Sequence, residues 1–170
     1  MRWPVFSISA LPVFHGEIGL CPLPGRFSPF AEDLEYIVNW SPSLVVSLVE
    51  EHEFGPVGSR RLQTALTSQR IDWRAYPIKD FAIPEADDVT SGNETWRPLI
   101  QQSLGLLKSG ERVLFHCYGG CGRSGMFMLR VMCDAGEQAE HALSRLRAIR
   151  ACAVETDAQL AWATGWYWHC

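Results

Sequence analysis

The residues best able to do chemistry lie in one stretch, Val113 to Gly125, which reads VLFHCYGGCGRSG. It places a thiol at Cys117, an arginine at Arg123, and glycines at 119, 120 and 122 between them. A thiol is a nucleophile only as the thiolate, and an ordinary cysteine at neutral pH is mostly protonated. The apolar run Val113-Leu114-Phe115 predicts a buried strand ahead of Cys117, and a helix is expected from Ser124. A helix N-terminus, with its unpaired backbone N–H groups, stabilises both a thiolate and a bound oxyanion. Gly119, Gly120 and Gly122 let the chain curl so that successive N–H groups point inward as an anion nest. Arg123 closes the ring with a planar fork that matches two phosphate oxygens, a geometry lysine cannot copy. Donors placed this way act mainly on the transition state, where each is worth ~3–4 kcal/mol. The stretch therefore predicts thiolate attack on a phosphate group cradled by Tyr118, Gly119, Gly120, Cys121 and Gly122. Ser124 is expected to donate a hydrogen bond to the sulfur and so improve it as a leaving group. His116 is expected to fix the loop through its ring N–H groups.

Two other readings of the same residues are weaker. A Gly-rich turn between a strand and a helix can hold an inert buried cysteine, but such a turn does not require His-Cys and Arg-Ser as well. His116, Cys117 and Cys121 are three potential zinc ligands, yet no fourth lies at suitable spacing and Arg123 is a poor neighbour for a cation. Cys121 has two readings of its own. It is either a small loop filler or a second thiol that traps oxidised Cys117 as a disulfide, within the ~5.5 Å Cα separation that such a bond prefers.

The elements that must position this loop are legible from periodicity and punctuation. Val5 to Leu11 reads as a strand, and Gly16 to Phe27, rich in Gly and Pro, as a loop. Ser28-Pro29 predicts a helix start, with Glu32 and Asp33 near its positive end and a stop before Pro42. Leu44 to Leu48 is a short buried strand. Ser59 to Gln69 is a short helix, Ile71 to Ile78 a strand, and Lys79 to Gly92 a long polar loop. Thr95 to Ser109 has helical spacing and Gly110 to stop it. Two helices, Ser124 to Ala135 and Gln138 to Ile149, follow the loop, and a last one runs from Asp157 to Trp168. Trp162 and Trp166, four apart, are expected to pack onto the core. The alternation predicts an α/β fold, a central mostly parallel sheet flanked by helices, as one domain over residues 1–170.

Bulk properties fit that picture. The 170 residues are 47% hydrophobic and 20% charged, an ordinary globular balance. A formal net charge of −4 gives no reason for nucleic-acid or anionic-membrane partners, so attraction for an anionic substrate must be local. No apolar run approaches the ~20 residues of a membrane span. The N-terminal stretch is interrupted by Pro4 and Pro12 and reads as a strand rather than a leader. The six cysteines are expected to be reduced thiols in a cytoplasmic protein, since a core of this size needs no staples.

HCYGGCGRSG resembles the His-Cys-x5-Arg-Ser signature of the cysteine-dependent protein tyrosine phosphatases. It is most similar to the dual-specificity branch, and especially to the cyclin-dependent-kinase-associated phosphatases, whose loop begins HCYGG. LPGRF (Leu23 to Phe27), LVVSLVEEHEF (Leu44 to Phe54) and YPIKD (Tyr76 to Asp80) sit in family order. The resemblance implies a phosphocysteine mechanism with no metal and no organic cofactor. It also implies a general acid from a separate loop, at Asp80, with Asp87 and Asp88 as competitors. VETDAQ (Val154 to Gln159) resembles the segment whose glutamine orients the hydrolytic water, which makes Gln159 a candidate or a solvent-facing helix residue. Arg150 resembles an arginine that supports the loop. The absence of Lys or His between Cys117 and Arg123 argues for a phosphorylated protein or peptide rather than a phosphoinositide. The rival functions are a phosphate-binding pseudophosphatase and a thiol-based arsenate reductase using Cys117 and Cys121.

Overall fold

The structure, a computed structural model, describes residues 5–56, 58–85 and 95–165. Five strands form one sheet: β1 (Ser9–Val13), β2 (Gly16–Cys21), β3 (Leu44–Ser47), β4 (Asp72–Ala75) and β5 (Arg112–His116). Their spatial order is β1-β2-β5-β3-β4. Only the β1–β2 hairpin is antiparallel; β2–β5, β5–β3 and β3–β4 run parallel. The central strands bury both faces, as covered parallel strands must, and their side chains alternate between two cores. Leu44, Val46, Val113 and Phe115 face one core, while Val45 and Leu114 face the other.

Helices α1 (Phe30–Trp40) and α2 (Ser59–Ser68) bring Ile37, Leu62 and Leu66 to the smaller core. Helices α3 (Trp96–Lys108), α4 (Gly122–Asp134), α5 (Ala139–Ile149) and α6 (Asp157–Thr164) close the larger one. Phe127 of α4 is fully buried there, 5.7 Å from the Phe115 ring and 5.0 Å from that of Trp162. Trp162 is a core residue, in contact with Trp96 as well. Trp166 and the rest of residues 166–170 lie outside the described residues.

The largest departure from the sequence reading is β2, in the stretch expected to be a loop. Its glycines are packing residues rather than breakers. A Cβ on Gly19 would stand 3.0 Å from Ile8 and 3.2 Å from the Trp40 ring, so the strand admits no side chain where the Trp40 indole crosses it. The first strand starts later than expected, at Ser9, and turns back through Phe14, which takes a left-handed φ of 53°. Ser28 does not cap α1. With the Gly25 N–H, its hydroxyl is drawn to the buried Asp33 carboxylate, which folds the 23–28 segment against the helix start. A short 3-10 turn, Glu51–Phe54, follows β3 and was not foreseen; Glu50 and Glu53 cap it reciprocally. Parallel strands end their carboxyl edges together, so the segments after β2, β3, β4 and β5 meet at one end of the sheet.

Candidate active site

The β5–α4 turn supplies Cys117 and the first turn of α4 supplies Arg123, both 2% exposed. The Cys117 Sγ lies 3.2 Å from Ser124 Oγ, within hydrogen-bonding reach. His116, at the end of β5, is fully buried, and its Nε2 meets Ser47 Oγ of β3. Trp73 Nε1–H donates to the same serine oxygen at 2.9 Å. Burial pushes the His116 imidazole down to about 4, with the backbone carbonyl of Cys117 pulling the other way and the Arg123 charge lowering it further. The ring is therefore neutral at neutral pH, a fixed hydrogen-bonding strut between β3 and β5.

Two of the loop's glycines are demanded by close approach. Gly120 has φ +69°, and a Cβ there would fall 2.6 Å from the backbone of Cys21 and Pro22. At Gly122 a Cβ would fall 2.1 Å from the Glu155 carboxylate. The loop is then tied down from outside. Leu23 N–H donates to Tyr118 O, and Arg150 donates to the carbonyls of Gly120 (2.9 Å) and Gly119 (3.0 Å). Pointing those carbonyls outward leaves the loop's N–H groups for the interior. Val154 N–H donates to Cys121 O.

Arg123 carries its charge into the interior on three fixed hydrogen bonds to two residues. Its Nη1 and Nη2 donate to the two carboxylate oxygens of Glu53 at 2.7 and 2.8 Å, and Nη1 also donates to Ile78 O at 2.9 Å. Burial works against ionising Glu53, but the Arg123 hydrogen bonds and charge and the Glu50 N–H outweigh it, leaving the carboxyl below its ordinary value. The Arg123 Nε–H has no hydrogen-bond partner among the described residues, although it is buried. The guanidinium is thus held at one edge, while its Nε edge is free to donate. Glu53 was missed at the sequence level; nothing in LVVSLVEEHEF distinguishes it from the two other carboxylates, Glu50 and Glu51, and the histidine around it.

Asp80 lies just beyond Ile78, 53% exposed, with Oδ1 3.3 Å from Arg123 Nη2 and accepting from Phe81 N–H. Phe81 takes a left-handed φ of 62° and is 59% exposed. A turn from Lys79 to Ala82 holds both, and Gln159 Nε2–H donates to Ala82 O. Asp87 and Asp88 lie outside the described residues. Gln159 is buried, and its Oε1 accepts from the Glu155 and Thr156 N–H groups, so its amide braces backbone instead of facing solvent. A cavity of about 180 Å³ brings together Cys117, Gly119, Gly122, Arg123, Asp80 and Glu155, with Arg26, Tyr118 and Phe81 at its walls. Glu155 was also missed, although it lies inside the quoted VETDAQ segment.

The cysteines correct the expectation of six reduced thiols. Cys121 is bonded to Cys152, with the Cα atoms 5.2 Å apart. Cys21, Cys117 and Cys133 are free, and Cys170 lies outside the described residues. Cys121 is accordingly not a partner for Cys117: the loop turns its sulfur toward the α5–α6 connection, which Arg150 and Val154 already hold against it. A redox relay between Cys117 and Cys121 is not built here.

A mostly parallel sheet with a Cys-x5-Arg loop between β5 and α4 is also the fold of solved structures of protein tyrosine and dual-specificity phosphatases. The chain is similar to the kinase associated phosphatase (KAP), with 22% identity, 97% of this chain and 96% of that one covered, and a TM-score of 0.78. It is similar also to Tk-PTP in the active form, at 25% identity over 99% of this chain and 100% of the other, with a TM-score of 0.68. Human DUSP28 matches at 16% identity over 98% and 96%, with a TM-score of 0.62. No family model matches the sequence, and no curated protein does.

Two outcomes follow from this geometry. By NMR, His116 should titrate near pH 4; a midpoint near 6.5 would contradict its burial. Its folded value lies below the unfolded one, so the unfolded chain binds the proton first. Stability from this group is complete above about pH 6.5 and is lost as the pH falls toward 4. Replacing both Cys121 and Cys152 by serine opens a cross-link across 31 residues and should lower unfolding free energy by about 3–4 kcal/mol, read from urea denaturation. An unchanged midpoint would show that the hydrogen bonds of Arg150 and Val154 suffice.

Proposed function

We propose that the chain is a phosphatase that hydrolyses phosphate monoesters on protein side chains, phosphotyrosine foremost, through a phosphocysteine on Cys117. The observation that carries this reading is the buried Arg123 fork, whose Nε–H is left without a partner beside a buried thiol. A phosphoryl group in the cavity receives the loop N–H groups and the Nε edge of Arg123. Cys117 attacks phosphorus as the thiolate, and Asp80 delivers a proton to the departing oxygen. Ser124 then steadies the sulfur as it leaves phosphorus. Tyr118 and Phe81, both exposed at the wall, suit the flat ring of a phosphotyrosine.

No residue between Cys117 and Arg123 is basic, which favours a single phosphate over a polyphosphorylated lipid headgroup. The reaction as read uses no cofactor, and its partner is a phosphorylated protein or peptide. Among the described residues no helix is long and apolar enough to cross a membrane. A cytoplasmic location rests on composition, and the Cys121–Cys152 bond weighs against a strongly reducing compartment.

The test uses matched phosphotyrosine, phosphoserine and phosphothreonine peptides together with p-nitrophenyl phosphate. Cys117→Ser should abolish turnover and still bind tungstate, since the nest and Arg123 remain. Arg123→Lys should lose more than ~10-fold in kcat/KM, about 1.4 kcal/mol. Asp80→Asn should slow phosphotyrosine far more than p-nitrophenyl phosphate, whose leaving group departs without a proton. Turnover by Cys117→Ser at the wild-type rate would overturn the covalent reading.

A further inference from the structure

Two carboxylates, Asp80 and Glu155, share the cavity of the thiol, and a third, Glu53, stands behind it on Arg123. Glu53 has both oxygens on Arg123. Asp80 borders Nη2 of the same guanidinium and accepts from Phe81 N–H. Glu155 comes from a different segment, residues 150–156 between α5 and α6. Its carboxylate lies against the first residue of α4, where a Cβ on Gly122 would fall 2.1 Å from one of its oxygens. Gly122 belongs to the loop that cradles the phosphoryl group in the reading above, and the carboxylate beside it shares the cavity with Cys117. The backbone beneath Glu155 is fixed rather than loose: Gln159 Oε1 accepts from Glu155 N–H at 3.0 Å, and Thr156 caps α6.

We propose that Glu155 is the base of the second chemical step, holding and deprotonating the water that attacks the phosphocysteine. This rests on the phosphatase reading above. The water oxygen bonds to phosphorus as the S–P bond breaks, and that electron pair returns to Cys117 as thiolate beside the Ser124 hydroxyl. One water proton goes to Glu155 and the other stays on the released hydrogen phosphate, so the charge of −3 on the reacting groups is conserved. Glu155 gives the proton to solvent as the product leaves. Asp80 is thereby the acid of the first step and Glu155 the base of the second, two carboxylates with separate duties. Gln159 is a positioning residue that sets Glu155 through its backbone.

Electrostatics agree with this assignment. Burial and the neighbouring Asp80 charge hold the Glu155 carboxyl above its ordinary value, against the pull of Arg123 and the Gly122 N–H. A more basic carboxylate is a better acceptor for a water proton. The ionisable groups sharing its cavity are Asp80 from the β4–α3 connection, Cys117 from the β5–α4 turn and Arg123 from the first turn of α4, with Tyr118 and Arg26 at the wall.

Rapid-quench kinetics with p-nitrophenyl phosphate, with mass spectrometry of the quenched protein, separate the steps. In Glu155→Gln the burst of p-nitrophenol should stay within ~3-fold of the wild-type rate. Steady turnover should fall about 100-fold, and phosphate should accumulate on Cys117. Glu155→Asp should recover part of the turnover. Burst and steady rate falling together would mean that Glu155 only supports the loop, and unchanged steady turnover would mean that another base acts; either overturns the proposal. Absence of any phosphate on Cys117 in both wild type and Glu155→Gln, with turnover intact in the wild type, would instead overturn the phosphocysteine reading itself.

Discussion

Arg123 is a cation held at 2% exposure, and a charge at that depth survives only where fixed partners replace its water. Glu53 supplies two charge-assisted hydrogen bonds and Ile78 a third. The three residues come from different strand ends: Glu53 from the turn after β3, Ile78 from the continuation of β4, and Arg123 from the start of α4, which follows β5. The guanidinium is thus the point at which three loops are locked into one site. Glu53 is itself anchored by accepting from Glu50 N–H at 2.8 Å, so the lock does not depend on a loose side chain. Asp80 follows Ile78 by two residues and takes its place beside the thiol from that bond.

The loop from Cys117 to Arg123 needs a second set of constraints, because its glycines impose no conformation of their own. Arg150 draws two carbonyls outward, Val154 binds a third, and the Cys121–Cys152 bond closes the same connection covalently. Residues 150–156 thereby act as a clasp across the loop, and the clasp carries Glu155 into the cavity. Positioning and chemistry come from one short segment. That economy places a carboxylate where only glycine at position 122 leaves room for it.

Much of this was legible in the sequence. Strand, Cys117, glycines, Arg123 and helix are contiguous, so local pattern alone defines the loop, and the short continuous apolar runs at Leu44 to Leu48 and Val113 to Phe115 marked two central strands buried on both faces. The pieces that were not legible are those fixed by distant contacts. Gly19 reads as a breaker until the Trp40 ring is seen to occupy its missing side chain. Glu53 is one acid in an acidic run until Arg123 reaches it. Cys121 lies four residues from Cys117 and 31 from Cys152, and only the direction of the loop's curl decides between them. Gln159 was a candidate and Glu155, four residues earlier, was not; their places separate only once the capping of α6 turns the amide toward backbone and leaves the carboxylate on the cavity.

The claim on which this account stands is that Arg123 is divided, one edge spent on Glu53 and Ile78 and the Nε edge reserved for the phosphoryl group. A crystal structure of the protein with tungstate bound tests it directly. The account predicts tungstate oxygens on the Nε–H of Arg123 and the loop N–H groups, with both Glu53 hydrogen bonds intact and the Glu155 carboxylate displaced from Gly122. Tungstate bound with Arg123 swung away from Glu53, or bound without contact to the Nε–H, would contradict it.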